Sequence, residues 1–278
     1  MFVLFTGCAT HAPSNPALYQ FESENLPKTN ITLDIPGLGP CTDNPNRALH
    51  LDTYQSVHVL VHGCYGSSGQ FRGLAQVLAF HGQQTACFTY DDRADLTSSA
   101  IELRKAIDRL TEQTVAPQIT VIGHSQGALV ARKSLTEIGQ ASPRRRAALS
   151  LVTVSGPFGG IAAAKPCGMA WLYPLTLGLL PLSCYAVTGA KWSDITGASR
   201  FILEPGALVS QVAGHLKIDT DERGTCRRAD GPRCLESDDV FSLDEQRNTL
   251  VDNDARARRQ ELRAGHVEIV GDKFAAPT

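Results

Sequence analysis

Residues 117–135 read PQITVIGHSQGALVARKSL, and no other stretch constrains the fold as tightly. Ile119-Thr120-Val121-Ile122 is apolar and β-branched, the composition of a strand buried on both faces. Past Gly127, the residues Ala128, Leu129, Ala131 and Leu135 recur at helical spacing. Ser125 therefore sits at a turn from strand to helix, with Gly123 and Gly127 two residues away on either side. Glycines at those places let strand and helix approach closely. A serine on so sharp a turn is held in a strained backbone conformation, with its hydroxyl at the top of a sheet. The helix beginning there aims its N–H groups and positive dipole end at the same point. The plain alternative is a glycine-rich turn carrying an ordinary serine.

The flanking pattern extends this unit in both directions. Residues 57–61, VHVLV, form a buried strand running into His62-Gly63-Cys64-Tyr65-Gly66. A helix-like segment spans 70–80, and TACFTY at 85–90 reads as a strand. After the turn Asp91-Asp92-Arg93, apolar residues at Leu96, Ala100, Leu103, Ile107 and Leu110 define an amphipathic helix, with Thr97 and Ser98 as N-cap candidates. AALSLVTV at 147–154 is a further strand, ending in Ser155-Gly156-Pro157-Phe158-Gly159-Gly160. This alternation predicts an α/β fold with a mostly parallel, doubly wound sheet. Residues 30–35 suggest an edge strand and 48–52 a second strand. Further on, 207–212 suggest a helix and 214–219 a strand. LRAGHVEIV at 262–270 places His266 at the end of a short strand.

The chain has 278 residues, 42% of them hydrophobic and 19% charged, enough for one substantial core. The formal net charge of −2 gives no reason to expect a nucleic acid partner. The Arg144-Arg145-Arg146 cluster reads as a solvated loop. The eight cysteines Cys8, Cys41, Cys64, Cys87, Cys167, Cys184, Cys226 and Cys234 lack the close pairs of a zinc site. They point to disulfides and an oxidising compartment. MFVLFTGC at the start, followed by a Pro-, Ser- and Asn-containing stretch, resembles the end of a bacterial lipoprotein signal peptide. That likeness implies export to the cell envelope, with Cys8 lipidated, residues 1–28 a tether and a membrane surface as a partner. Phe5 stands where the pattern has leucine, and the charged start is missing; the alternative is a frayed apolar terminus. Without Cys8, seven cysteines remain, so one stays outside the disulfides or pairs between chains.

Residues 161–200 break the alternation. GMAWLYPLTLGLLPL at 168–182 is nearly all apolar. It is too short to span a membrane and is interrupted by Pro174 and Pro181. We read it as an insertion over the site, a lid or cap, clamped by a Cys167–Cys184 disulfide. A core helical hairpin is the alternative. Cys226 and Cys234 are expected to close a polar loop.

The strand, Gly-His-Ser-Gln-Gly and helix resemble the nucleophile elbow of the α/β-hydrolases, and the strand ending in His62-Gly63 is similar to a second feature of that superfamily. The likeness covers about residues 57–270 and is closest to secreted bacterial lipases and esterases, with some likeness to GPI inositol-deacylases. It implies an α/β-hydrolase domain at 29–278 with a lid at 161–200. It also implies hydrolysis of a carboxylic ester through an acyl-enzyme on Ser125. The backbone N–H groups of Cys64 and Gln126 would form the oxyanion hole. His62 is read as packed under the site, without proton transfer. The order Ser, acid, His implies His266 as the base. Asp238, in Asp238-Asp239-Val240-Phe241, is the first candidate for the acid; Asp221 is its rival and Asp239 comes next. An acyl chain would lie against the insertion at Trp171, Leu172 and Leu175. No metal or organic cofactor is implied. An acyltransferase on the same triad, or a non-catalytic envelope lipoprotein with this fold, are the other readings.

Overall fold

Among the described residues eleven strands carry the architecture, seven of them in one sheet. In chain order they are β1 (Ile31–Leu33), β2 (Leu38–Gly39), β3 (Leu49–Leu51), β4 (Val57–Val61), β5 (Gln84–Phe88) and β6 (Gln118–His124). Then come β7 (Ala148–Val154), β8 (Val212–Thr220), β9 (Cys226–Asp230), β10 (Arg233–Ser237) and β11 (Ala257–Leu262). The computed structural model describes residues 26–137, 147–169 and 171–278. Cys8, nearly all of the 1–28 tether and the Arg144-Arg145-Arg146 cluster lie outside the described residues.

The main sheet has the order β11-β8-β7-β6-β4-β5-β2. Its pairs are parallel from β11 to β5, and only the short β2 runs antiparallel, at the edge. This is the mostly parallel sheet that the alternation predicts, and it agrees with the α/β-hydrolase fold that the resemblance implies. Val57, Val59, Ile119, Val121, Leu149 and Leu151 line one face of the sheet and are all buried, while Thr120, Ile122, Ser150 and Val152 on the other face are half-buried. Helix α1 (Arg72–Phe80) follows a 3-10 turn at Ser68–Phe71. Helix α2 (Leu96–Gln113) buries the whole predicted stripe of Leu96, Ala100, Leu103, Ile107 and Leu110. At roughly 1.5–3 kcal/mol for each fully buried leucine or isoleucine, that stripe is sufficient to dock the helix. Its N-cap is Asp95, whose carboxylate accepts from Ser98 N at 2.8 Å, rather than Thr97 or Ser98. Helix α3 (Gln126–Ser134) starts directly after Ser125.

The chain leaves β4 for β5 on one side and returns to β6 on the other. At such a reversal the loops beyond the two strands diverge and leave a crevice, the usual ligand position of an open α/β sheet. Here the two strand ends are His62-Gly63 and His124-Ser125.

Three segments differ from expectation. Residues 31–33 pair with β3 in a separate ribbon instead of edging the main sheet. Leu208 bridges to Thr136 in place of a helix at 207–212. The last strand, β11, ends at Leu262, so His266 stands in the turn behind a strand rather than at the end of one. Its alternating charged residues, ARRQEL, hide a sheet-edge strand that is mostly exposed.

Between β7 and β8 lies the insertion. It holds a 3-10 segment (Ala162–Gly168), α4 (Leu172–Leu175), α5 (Leu179–Thr188), a 3-10 turn (Ala190–Ser193) and α6 (Arg200–Leu203). The Cys167–Cys184 disulfide joins its two halves. Only Cys184 is buried within α5, and Leu177 is 90% exposed, so this is not a core hairpin. Cys226–Cys234 closes the β9–β10 hairpin, as expected. A third bridge, Cys41–Cys87, ties the loop after β2 to β5. Two short helices, α7 (Leu243–Gln246) and α8 (Thr249–Asp252), precede β11. Among the described residues no helix is long and apolar enough to cross a membrane.

Candidate active site

Ser125 has φ 57° and ψ −130°, a conformation that costs a non-glycine residue about 1–3 kcal/mol. The fold holds it there from three sides. Its N–H donates to Val154 O at 2.9 Å, joining the elbow to β7. Gly127 packs against the main chain at the end of β4, where any side chain would collide with Val61 O and His62 O. Gly63 faces Ser125 itself: a β-carbon on Gly63 would lie 2.7 Å from Ser125 Cβ and 3.1 Å from Oγ. The loop 62–66 thus sits directly on the serine.

His266 approaches from the opposite side, in the turn after β11. His124 Nε2 donates to His266 O at 2.8 Å, and the two rings stand 4.6 Å apart. Burial, with His266 nearby, holds the His124 pKa well below the ordinary histidine value, so His124 is a neutral donor. Phe241 packs edge-on to the His266 ring at 5.0 Å. His266 Nδ1 lies 2.8 Å from Glu222 Oε1. Because a carboxylate only accepts, Nδ1 carries a proton, and in the neutral ring the lone pair is on Nε2.

Glu222 is therefore the carboxylate on the histidine, and neither Asp238 nor Asp221 takes that place. Its side chain is wholly buried, and every partner is a donor. Oε1 accepts from His266 Nδ1 and from Thr220 Oγ1 at 2.8 Å. Oε2 accepts from Val240 N at 2.7 Å and Phe241 N at 2.8 Å. Thr220 is fixed in turn by Ser155 Oγ at 2.7 Å and by Gln246, which bonds both its N–H and its C=O.

Asp238 sits behind the histidine instead. Its carboxylate accepts from Val267 N and Glu268 N at 3.0–3.1 Å, and its carbonyl accepts His266 N at 2.9 Å. It shapes the turn and leaves the ring to Glu222. Burial pushes its pKa up, against those backbone donors. Asp221 is half-buried and gripped by the exposed Arg223 through two bonds of 2.7 Å, which hold its pKa at about 2. Asp239 is on neither carboxylate's site; its N–H bonds Ser237 Oγ.

The 62–66 loop is fastened by polar contacts. Tyr90 OH donates to His62 O at 2.8 Å, while the His62 ring stacks on Tyr90 at 4.6 Å. His62 is buried, and desolvation lowers its pKa. Tyr65, at φ 54°, donates its N–H to Asp92 Oδ2 at 2.6 Å. Gln126 Nε2 reaches Asp92 O at 3.0 Å. Cys64 stands outside the three disulfides, and its Sγ accepts from Lys191 Nζ at 2.9 Å. Cys64, next to Gly63, and Gln126, next to Ser125, are thus joined through Asp92 and Lys191. In the insertion, Trp171 and Leu175 are exposed at 64% and 71%, Leu172 is half-buried, and α4 packs on α5.

Residues 58–201, just over half of the chain, match the family described as palmitoyl protein thioesterase. Among solved structures, esterase B of Lactobacillus rhamnosis, inhibited by a tributyrin phosphonate, is similar at 12% identity, 88% of this chain, 81% of that chain and a TM-score of 0.50. The mature lipase of Bacillus licheniformis is similar at 13% identity, 84% of this chain, 91% of that chain and a TM-score of 0.49. No curated protein matches. With its parallel sheet, elbow and matched segment, the chain belongs to the palmitoyl protein thioesterase family of α/β-hydrolases.

Proposed function

We propose that the protein is a serine hydrolase of carboxylic acyl esters, either oxygen esters or thioesters, working through an acyl-enzyme on Ser125. The observation that carries this reading is the buried Glu222–His266 pair beside a serine held at φ 57°. Family membership adds the acyl thioester to the ester expected from sequence.

In the proposed reaction His266 Nε2 takes the Ser125 proton as Oγ attacks the acyl carbonyl. Glu222 orients the ring and stabilises the imidazolium. The amides of Cys64 and Gln126 hold the oxyanion; loss of one such donor costs about 3–4 kcal/mol of barrier in comparable enzymes. The alcohol or thiol leaves with the proton from His266. Water then attacks the acyl-serine, releases the carboxylic acid and restores Ser125. The apolar insertion serves as the cover for the acyl chain, with Trp171, Leu172 and Leu175 its candidate contacts. Three disulfides support an exported protein, and lipidation at Cys8 would place it on a membrane surface.

The test is hydrolysis of p-nitrophenyl butyrate, p-nitrophenyl palmitate and a palmitoyl thioester by wild type and Ser125→Ala. We expect turnover by wild type and a loss of about 10⁴-fold or more in the variant. Turnover that survives Ser125→Ala would remove the serine from the reaction. A thioester rate well above that of both oxygen esters would assign the thioester as the preferred class.

A further inference from the structure

Lys191 lies in the 3-10 turn at the end of the insertion and is only 1% exposed. An ammonium buried so fully needs partners, since desolvation is costly. It has one carboxylate, Asp92 Oδ2 at 3.2 Å, and the Tyr65 ring at 5.3 Å. Its shortest contact, though, is Cys64 Sγ at 2.9 Å. Its ammonium has three N–H groups to place, and Cys64 and Asp92 each take one. Cys64 directly follows Gly63, which packs on Ser125.

The surrounding bonds converge on the same place. Asp92 Oδ2, which accepts from Lys191, also accepts Tyr65 N, the next amide after Cys64. Asp92 O accepts the Gln126 side chain. A second layer fastens the insertion to the same loops. Arg93 bonds the carbonyls of Tyr185, Ala186 and Val187 at the end of α5, and Tyr65 OH bonds Val187 O at 2.8 Å. Lys191 is the insertion side chain that reaches through to Cys64.

We propose that Lys191 is a positioning residue for the oxyanion hole: its ammonium clamps Cys64 and Asp92, and so couples the seating of the insertion to the placement of the Cys64 amide. This rests on the reading of Ser125 as nucleophile and Cys64 N–H as an oxyanion donor. A misplaced donor weakens the transition state while leaving ground-state binding of the acyl chain nearly untouched. The expected signature is therefore a fall in kcat at constant KM.

The test uses full-length protein with its disulfides intact and the variants Lys191→Met and Cys64→Ala. Lys191→Met is expected to lower kcat on p-nitrophenyl butyrate about 10- to 100-fold, with KM within about twofold. Labelling of Ser125 by a fluorophosphonate, whose adduct places a phosphoryl oxygen in the hole, should slow by a similar factor. Cys64→Ala keeps the main-chain amide and loses the clamp, so it should lower kcat about 3- to 10-fold. Adding Lys191→Met to Cys64→Ala should then cost less than on its own. A Lys191→Met enzyme with a lower Tm but full kcat, or with KM alone raised, would overturn the proposal. If Lys191→Met does not fold, an unchanged kcat in Cys64→Ala overturns it equally. Loss of activity in Ser125→Ala alongside full activity in the Lys191 variant would refute the clamp and leave the serine mechanism standing. Activity that survives Ser125→Ala would refute the mechanism first.

Discussion

The two sides of Ser125 are built differently. On the His266 side every support comes from the sheet and its own loops. Glu222 takes four donors from Thr220, Val240, Phe241 and His266, and Asp238 ties down the turn from behind. On the Cys64 side the supports reach outward: Asp92 and Arg93 are only partly buried, and Lys191, Val187 and Tyr185 belong to the insertion. Orientation of His266 is thus internal to the core. In the proposed mechanism, placement of the oxyanion donors depends on how the insertion is seated. A closed, prearranged carboxylate–histidine pair costs little reorganisation when the proton moves. A loop fastened to an apolar cover can respond to what the cover meets.

The largest effect that would break this comparison is on the carboxylate side. Glu222→Gln should lower kcat by about 10³- to 10⁴-fold with the fold intact, since an amide permits the wrong tautomer on His266. Asp238→Asn should lower kcat only about 10-fold, together with Tm, because it disturbs a turn and not the ring's partner. Steady-state kinetics and thermal melts on the two variants decide between them. A larger loss in Asp238→Asn would return that residue to the place expected from sequence.

A middle-sized effect probes the other side. The double variant Cys167→Ser with Cys184→Ser opens the loop that their bridge closes, 17 residues apart. A bridge over such a loop contributes about 3 kcal/mol by the chain-entropy account. We expect kcat to fall severalfold while fluorophosphonate labelling slows in step, because the insertion's seating is loosened. Activity unchanged by the double variant would mean that the Cys64 side stands without the cover.

The smallest effect is on stability. His215 is buried in β8 with Nε2 at 2.8 Å from Thr153 Oγ1, and burial, with Arg132 and Lys217 nearby, lowers its pKa to about 3. The folded value lies below the unfolded one, so the neutral form is favoured by folding. Its contribution is complete above the unfolded value of 6.5 and is lost as pH falls towards about 3. The slope is at most about 1.4 kcal/mol per pH unit for one such group. Thermal melts across that range should show His215→Gln flattening the acid limb; a parallel shift of the whole curve would contradict this origin.

What could be read from sequence follows the same division. The elbow is local: the β-branched run, the two glycines and the helical spacing lie within 19 residues, and the structure places Ser125 where they point. The carboxylate on His266 is set by tertiary geometry. β8 ends at Thr220; Asp221, next along, is held by Arg223, and Glu222 turns inward to the His266 ring. Asp221 and Glu222 are neighbours in sequence, and only the turn after β8 decides which of them meets the histidine. In Asp238-Asp239-Val240-Phe241, the Val240 and Phe241 amides hold the Glu222 carboxylate, and Asp238 holds the histidine turn. Lys191 gave no signal at all, being one lysine in a polar stretch after the apolar segment. Its place depends on the fold of the insertion, which no periodicity encodes.

The measurement that tests the account most directly is mass spectrometry of the protein after reaction with a fluorophosphonate. The account predicts one adduct, on the peptide containing Ser125, with loss of ester hydrolysis in proportion to labelling and a slow or absent adduct in Glu222→Gln. An adduct on another serine, or full hydrolysis by protein labelled at Ser125, would contradict it.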